Sequence, residues 1–155
     1  MTTILFSLIL YLFNYPDFFN ALSYEITQKK YEKTILPQQD LKQLMQDLEV
    51  LMLQKRYYHD DEVRLEDVAN ELMITRNQLS RILNEQYQKN FYQFLNHYRI
   101  LEAKELLLQE PPLSVLDIAF SVGFKSKSSF YKNFVQTTGV TPGSYRKQQL
   151  NKMNP

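Results

Sequence analysis

The spacing of apolar residues divides this chain into helices. Between Asp40 and Arg56, Leu41, Leu44, Met45, Leu48, Leu51 and Met52 follow the i, i+3, i+4, i+7 pattern. That pattern predicts one amphipathic helix with its stripe in a core. Between Phe91 and Gln109, Phe94, Leu95, Tyr98, Ala103, Leu106 and Leu107 predict a second, longer helix that ends before Pro111. From Ser114, Val115, Ile118, Ala119 and Val122 share one face of a short helix, and Gly123 supplies the sharp turn that ends it. Another helix starts near Ser126, with Phe130 and Phe134 inward and Lys127, Ser128, Tyr131 and Lys132 on the other faces. Gly139 closes it, and Thr141-Pro142 opens a terminal helix with a capping hydroxyl and a proline at the first helical position.

Two short helices joined by a tight turn, the second polar and basic outside, form a helix-turn-helix. The stretch Leu65 to Tyr87 repeats it. Ala69 corresponds to Ala119, and Leu79, Leu83 and Gln88 correspond to Phe130, Phe134 and Gly139. The offset moves from 50 to 51 because the second copy has one more residue in its turn. An internal repeat of this length outweighs any single motif. Thr75 is placed to cap the second helix of the first copy. Met73 stands where Gly123 stands in the other copy, which predicts a slightly strained first copy.

These residues carry a family resemblance. Asp117-Ile118-Ala119, Val122-Gly123-Phe124, Ser129-Phe130, Phe134, Gly139, Thr141-Pro142 and Tyr145-Arg146 resemble the second helix-turn-helix of the AraC/XylS transcriptional regulators. Tyr98-Arg99, Ala103 and Leu106-Leu107 also resemble that family, so the likeness runs from about Leu41 to Arg146. The family usually has Gly at the position of Met73 and often a Ser/Thr cap at that of Arg64; both departures lie away from the expected DNA face. The resemblance implies an all-α fold: two homeodomain-like helix-turn-helix subdomains joined by a long linker helix, preceded here by an apolar N-terminal helix. It implies sequence-specific binding to double-stranded promoter or operator DNA. RNA polymerase is a further partner on this reading, the effector is left open, and no cofactor is expected. The expected layout is an apolar segment 1–24, a linker 25–39 and a DNA-binding domain 40–155. Within that domain the copies span about 64–88 and 114–138, around a linker helix of about 91–109.

Charge sharpens this picture. The formal net charge is only +1. From Asp40 to Ile74, however, four Lys/Arg face nine Asp/Glu, a balance of −5, and from Pro111 to Pro155 six face one, a balance of +5. A basic half on an otherwise acidic chain suits a polyanion, although an ordinary dipolar surface gives the same count. The absence of Cys suits a reducing cytosol.

Residues 1–13 carry ten apolar residues and no charge, and Asp17 is the only charge before Glu25. A membrane span needs about 20 apolar residues, and no basic start or cleavage site marks a secretory signal. Three readings stay open: the tail of a transmembrane helix, an interfacial segment, or a surface packed on a partner. Lys29, Lys30 and Lys33 after the apolar run fit the positive-inside pattern. The favoured expectation is a membrane-proximal segment, with the domain in the cytoplasm at the inner face of the membrane.

A recognition helix needs donors and acceptors that reach base edges. Asn77, Ser80 and Arg81 in the first copy, and Lys127, Ser128, Tyr131 and Lys132 in the second, are the base-contacting candidates. Positions matching Asn77, Ser80 and Arg81 face the groove in the family. Arg76, Lys89, Lys125, Ser126, Arg146 and Lys147 are the candidates for phosphate. For each residue alone, a solvated surface side chain is the competing reading. A linker helix of about 18 residues would be a rod of roughly 27 Å, against roughly 34 Å for a turn of B-DNA. Catalysis has little support: the chain has no Gly-rich phosphate loop, no GxSxG, no Cys and two isolated His. His59 beside Asp60, Asp61 and Glu62 lacks metal-ligand spacing and reads as part of a solvated loop. A helix-turn-helix scaffold that binds protein is the alternative function.

Overall fold

The computed structural model describes residues 38–153, and the expectations for the apolar segment 1–24 fall outside that range. Every regular element among the described residues is helical. They are α1 (Gln38–Leu53), a 3₁₀ turn (Tyr57–His59), α2 (Leu65–Glu71), α3 (Arg76–Gln86), α4 (Phe91–Leu106), α5 (Val115–Ser121), α6 (Lys127–Thr138) and α7 (Pro142–Met153). None of these is long and apolar enough to cross a membrane.

The apolar stripes close into two cores. In the first, Leu48, Leu51 and Met52 of α1 meet Val68 and Ala69 of α2, Leu79 and Leu83 of α3, and Phe91, Phe94 and Leu95 of α4. In the second, Ile100 and Ala103 of α4 and the following Leu107 meet Ile118 and Ala119 of α5 and Phe130 and Phe134 of α6. Helix α4 therefore gives its first half to one core and its second half to the other. Fully burying a side chain such as Phe94 or Phe134 contributes about 1.5–3 kcal/mol, and each core holds several. Helix α4 ends at Leu106, three residues before the expected Gln109. At 16 residues it is roughly 24 Å long.

The repeat extends to individual hydrogen bonds. In the first turn Leu72 N donates to Val68 O at 3.1 Å, Met73 N to Asn70 O at 3.0 Å and Ile74 N to Ala69 O at 3.0 Å. In the second turn Val122 N donates to Ile118 O at 3.1 Å, Gly123 N to Phe120 O at 3.0 Å and Phe124 N to Ala119 O at 3.0 Å. Met73 and Gly123 both take positive φ, 55° and 93°, and so do Gln88 and Gly139, 52° and 77°. The first copy thus holds side-chain-bearing residues where left-handed backbone favours glycine. Lys125 is the extra residue of the second turn. Arg64 has no acceptor with which to cap α2; instead its own N–H donates to the Asp67 carboxylate at 2.7 Å.

The segment after α1 departs from expectation. Tyr57 to Glu62 form a strap whose Tyr58 is buried and whose Tyr57 and His59 are half-buried on α4, while Asp60, Asp61 and Glu62 stay exposed as a solvated loop would. Tyr58 is buried and stacks on Tyr98 with ring centroids 5.9 Å apart. His59 Nε2 meets the Glu102 carboxylate, which also accepts from Arg56 Nη1 at 2.9 Å. Burial, then the charge of Glu102, pushes the Tyr58 hydroxyl up to about 12. The strap is held because its aromatic rings gain more by burial than a polar loop would by hydration.

Candidate nucleic-acid interface

Both second helices are capped by side chains that fix where their outer faces begin. Thr75 Oγ1 accepts from Gln78 N at 3.2 Å, while Gln78 Oε1 accepts from Thr75 N at 2.9 Å, a reciprocal capping box. Ser126 Oγ accepts from Ser129 N at 3.2 Å. Leu79, Ile82 and Leu83 then turn inward on α3, and Phe130 and Phe134 on α6.

The candidate base contacts fall on the remaining faces, with differences among them. Arg76 and Asn77 are exposed and Ser80 is half-buried. Arg81 is also half-buried: its Nε donates to Glu85 at 2.7 Å, and Nη1 is covered without a partner among the described residues. An i, i+4 pair of this kind is worth only about 0.3–0.5 kcal/mol, so a guanine edge or a phosphate competes with it easily. On α6, Ser128 and Lys132 are exposed. Lys127 lies over the Tyr131 ring, 5.4 Å from its centroid, and that ring packs against the second core. Much of Tyr131 is thus committed to the fold.

The candidate phosphate contacts divide further. Lys147 is exposed and, among the described residues, makes no ion pair. Lys125 pairs with Glu62 of the strap, and that hydrogen bond raises its pKa. Ser126 uses its hydroxyl as a helix cap. Arg146 has an internal role: Nε donates to Leu107 O at 2.9 Å and Nη2 to Leu113 O at 2.6 Å. Its planar fork ties α7 to the carbonyl of Leu107, where α4 ends, and to that of Leu113, just before α5. The spacing Thr141-Pro142…Arg146 gives the helix but not this inward turn of the side chain.

Sequence reasoning missed what holds the two copies together. Arg99 of α4 is buried, 8% exposed. Its Nε donates to Tyr58 O at 2.7 Å, Nη2 to Asp60 O at 3.0 Å and Nη1 to Asn96 Oδ1 at 3.3 Å. The same guanidinium lies 5.5 Å from the centroid of the Phe124 ring. Asn96 in turn donates to Asn133 Oδ1 of α6 at 3.1 Å. An arginine set inside the apolar stripe of α4 was the signal available. Beside this junction lies an open groove of about 360 Å³, between the chain entering α4 and the outer face of α6. Lys89, Gln93, His97, Asn133, Gln136 and Thr137 are among its lining residues.

A helix-turn-helix domain family matches residues 68–148, more than half of the chain. Similar proteins include several named as HTH-type transcriptional regulators. The chain belongs to the AraC/XylS family. It is 38% identical over 89 residues to the HTH-type transcriptional regulator MtrA of Neisseria gonorrhoeae, covering 57% of this chain and 29% of MtrA. This chain matches about three-tenths of the length of such curated relatives. The AraC/XylS fold recurs in a transcriptional regulator with an AraC-type DNA-binding domain from Chromobacterium violaceum. That structure has a TM-score of 0.60 at 22% identity, over 69% of this chain and 92% of that one. The DNA-binding domain of AdpA, a global transcriptional factor solved with a target DNA, gives 0.59 at 23% identity, over 68% and 92%. At these identities the structures establish the fold.

Proposed function

We propose that this chain is the DNA-binding part of a transcription regulator and reads duplex DNA with α3 and α6 in successive major grooves. The observation that carries this reading is the duplicated helix-turn-helix. Two copies with matching turn hydrogen bonds share one central helix, and each presents a capped second helix with a polar outer face. A protein-binding scaffold has no need of two equivalent readers held at one spacing. Family membership adds weight, since relatives such as MtrA are named as HTH-type transcriptional regulators.

Within this reading Asn77, Ser80 and Arg81 serve one half-site, and Lys127, Ser128 and Lys132 the other. Arg76, Lys89, Lys125 and Lys147 meet phosphate. Arg146 is withdrawn from that set, because two of its donors are already engaged on carbonyls. Selection from a random duplex library tests the assignment. Losing a base contact costs about 1–3 kcal/mol and relaxes preference at one position. Arg81→Ala should flatten the selected motif in one half-site and Lys132→Ala in the other, about one helical turn away. If wild type selects no motif, or both variants alter the same base pairs, the two-groove reading is wrong.

The proposal extends to RNA polymerase as a partner and to a cytoplasmic site near the membrane, with residues 1–24 at the membrane surface. The uncharged run before Asp17 and the lysines after it motivate the membrane part. The full chain should float with anionic liposomes and a chain beginning at Asp40 should not. Equal recovery in the soluble fraction would sink that part alone.

A further inference from the structure

We propose that the groove between α4 and α6 is a phosphodiester-binding site, which takes the DNA backbone between the two half-sites. This inference rests on the DNA-binding reading above and adds to it a site distinct from the base-reading residues assigned on α3 and α6. The groove has the chemistry of an anion site. Lys89 supplies a full charge at its rim, and Gln93, Asn133 and Gln136 supply amide groups. Thr137 lines the wall but adds no donor, because its hydroxyl already donates to Asn133 O at 2.8 Å. No carboxylate among the described residues lines it. The placement is equally specific. Asn133 belongs to the reader helix α6, Gln93 to the linker helix α4, and Gln88 to the turn that ends the reader helix α3. If α3 and α6 occupy successive major grooves, the intervening minor groove and its two flanking backbones pass between them. A phosphate there meets elements of both copies at once, and so fixes register in a way that neither reader helix can alone.

His97 gives the site a second property. Partial burial, then Lys89 and Lys104, holds its pKa below the ordinary 6.5. The other titratable neighbours are Tyr98, whose ring lies 5.6 Å away edge-on, and Tyr87 of the groove wall; α6 contributes none to the lining. The free imidazole is therefore neutral at pH 7. A phosphate seated beside it favours the charged form and raises its pKa. Binding then takes up a proton between the free and the bound pKa, so affinity rises as pH falls through that window, by at most tenfold per unit for one proton.

Duplex affinity, measured against salt and pH, tests the site in the full chain. Lys89→Gln should lower the magnitude of the salt slope by about 0.9. His97→Gln should abolish the rise in affinity on acidification. Gln136→Glu should weaken binding about tenfold or more through repulsion in the groove, whereas Gln46→Glu on the exposed face of α1 should not. Uncharged methylphosphonates placed singly along the duplex locate the contact: substitution between the half-sites should weaken wild type and leave Lys89→Gln indifferent. The inference is overturned if wild type binds with its motif intact yet Lys89→Gln and His97→Gln keep the wild-type salt and pH dependence. It is overturned too if the phosphates sensitive to Lys89 lie outside the interval between the half-sites. If wild type binds no duplex at low salt, the DNA-binding reading itself has failed.

Discussion

Gly123→Ala should cost this protein about 3 kcal/mol or more and lower Tm by roughly 10 °C. Two separate effects add at this position. The backbone φ is +93°, a conformation that a residue with a Cβ adopts at a cost of about 1–2 kcal/mol. The added Cβ would also lie 2.8 Å from His59 O, closer still to Tyr58 O, and 3.0 Å from Arg99 Nε. Carbonyl oxygens fixed by the strap cannot move aside as a flexible side chain could, and overpacking of this kind costs about 1–3 kcal/mol. Gly139 separates the two effects, since its φ is +77° but nothing lies within 4 Å of an added Cβ. Gly139→Ala should therefore show the backbone cost alone. Urea unfolding of both variants decides the matter; equal losses would mean that the strap yields and the close approach carries no energy.

Met73 offers the reverse experiment in the other copy. Its φ is 55° and the residue is 94% exposed, so it has strain and almost no packing to lose. Met73→Gly relieves the left-handed backbone but makes the unfolded chain more flexible, for a net gain of about 0.5–1 kcal/mol. A loss of stability in the same unfolding series would show that Met73 has contacts beyond those described.

Helix positions, caps and the duplicated copies were legible in the sequence because each rests on local chemistry. Thr75, Ser114 and Thr141 sit where a first turn needs an acceptor, and Leu79, Leu83, Phe130 and Phe134 sit where a second helix needs an inward face; Ser126, read as a phosphate contact, caps its helix as well. The strap was not legible, since nothing local in Tyr57-Tyr58-His59-Asp60 says that its carbonyls will meet an arginine 41 residues away. The carbonyl bonds of Arg146 were not legible for the same reason: exposed and folded-back arginines look alike in sequence. Among the candidate contacts, Asn77, Ser128 and Lys132 are as open as their spacing implies. Arg81 and Lys125 are open only through weak surface pairs, which become visible once Glu85 and Glu62 are placed beside them.

Arg99→Lys should disturb the relation between the two copies more than either copy alone. The guanidinium spends three donors on Tyr58 O, Asp60 O and Asn96 Oδ1, and its face on Phe124. It is thus the point where strap, linker helix and second turn meet. An ammonium at the end of a flexible chain cannot reach three acceptors in one plane. The buried carbonyl of Tyr58 and the partly buried one of Asp60 would lose a charged donor, at about 1.5–3 kcal/mol each at most, so a fall in stability of about 3 kcal/mol is expected. That loss alone would be shared by any core substitution. The distinguishing readout is half-site spacing. Wild type should bind one spacing best, because α3 and α6 are held on a braced α4. Arg99→Lys should keep its preference within each isolated half-site yet discriminate less between duplexes whose spacing differs by a single base pair. Unchanged spacing selectivity in a folded Arg99→Lys protein would show that the two cores on α4 set the geometry without the arginine, leaving the strap a stabilising feature only.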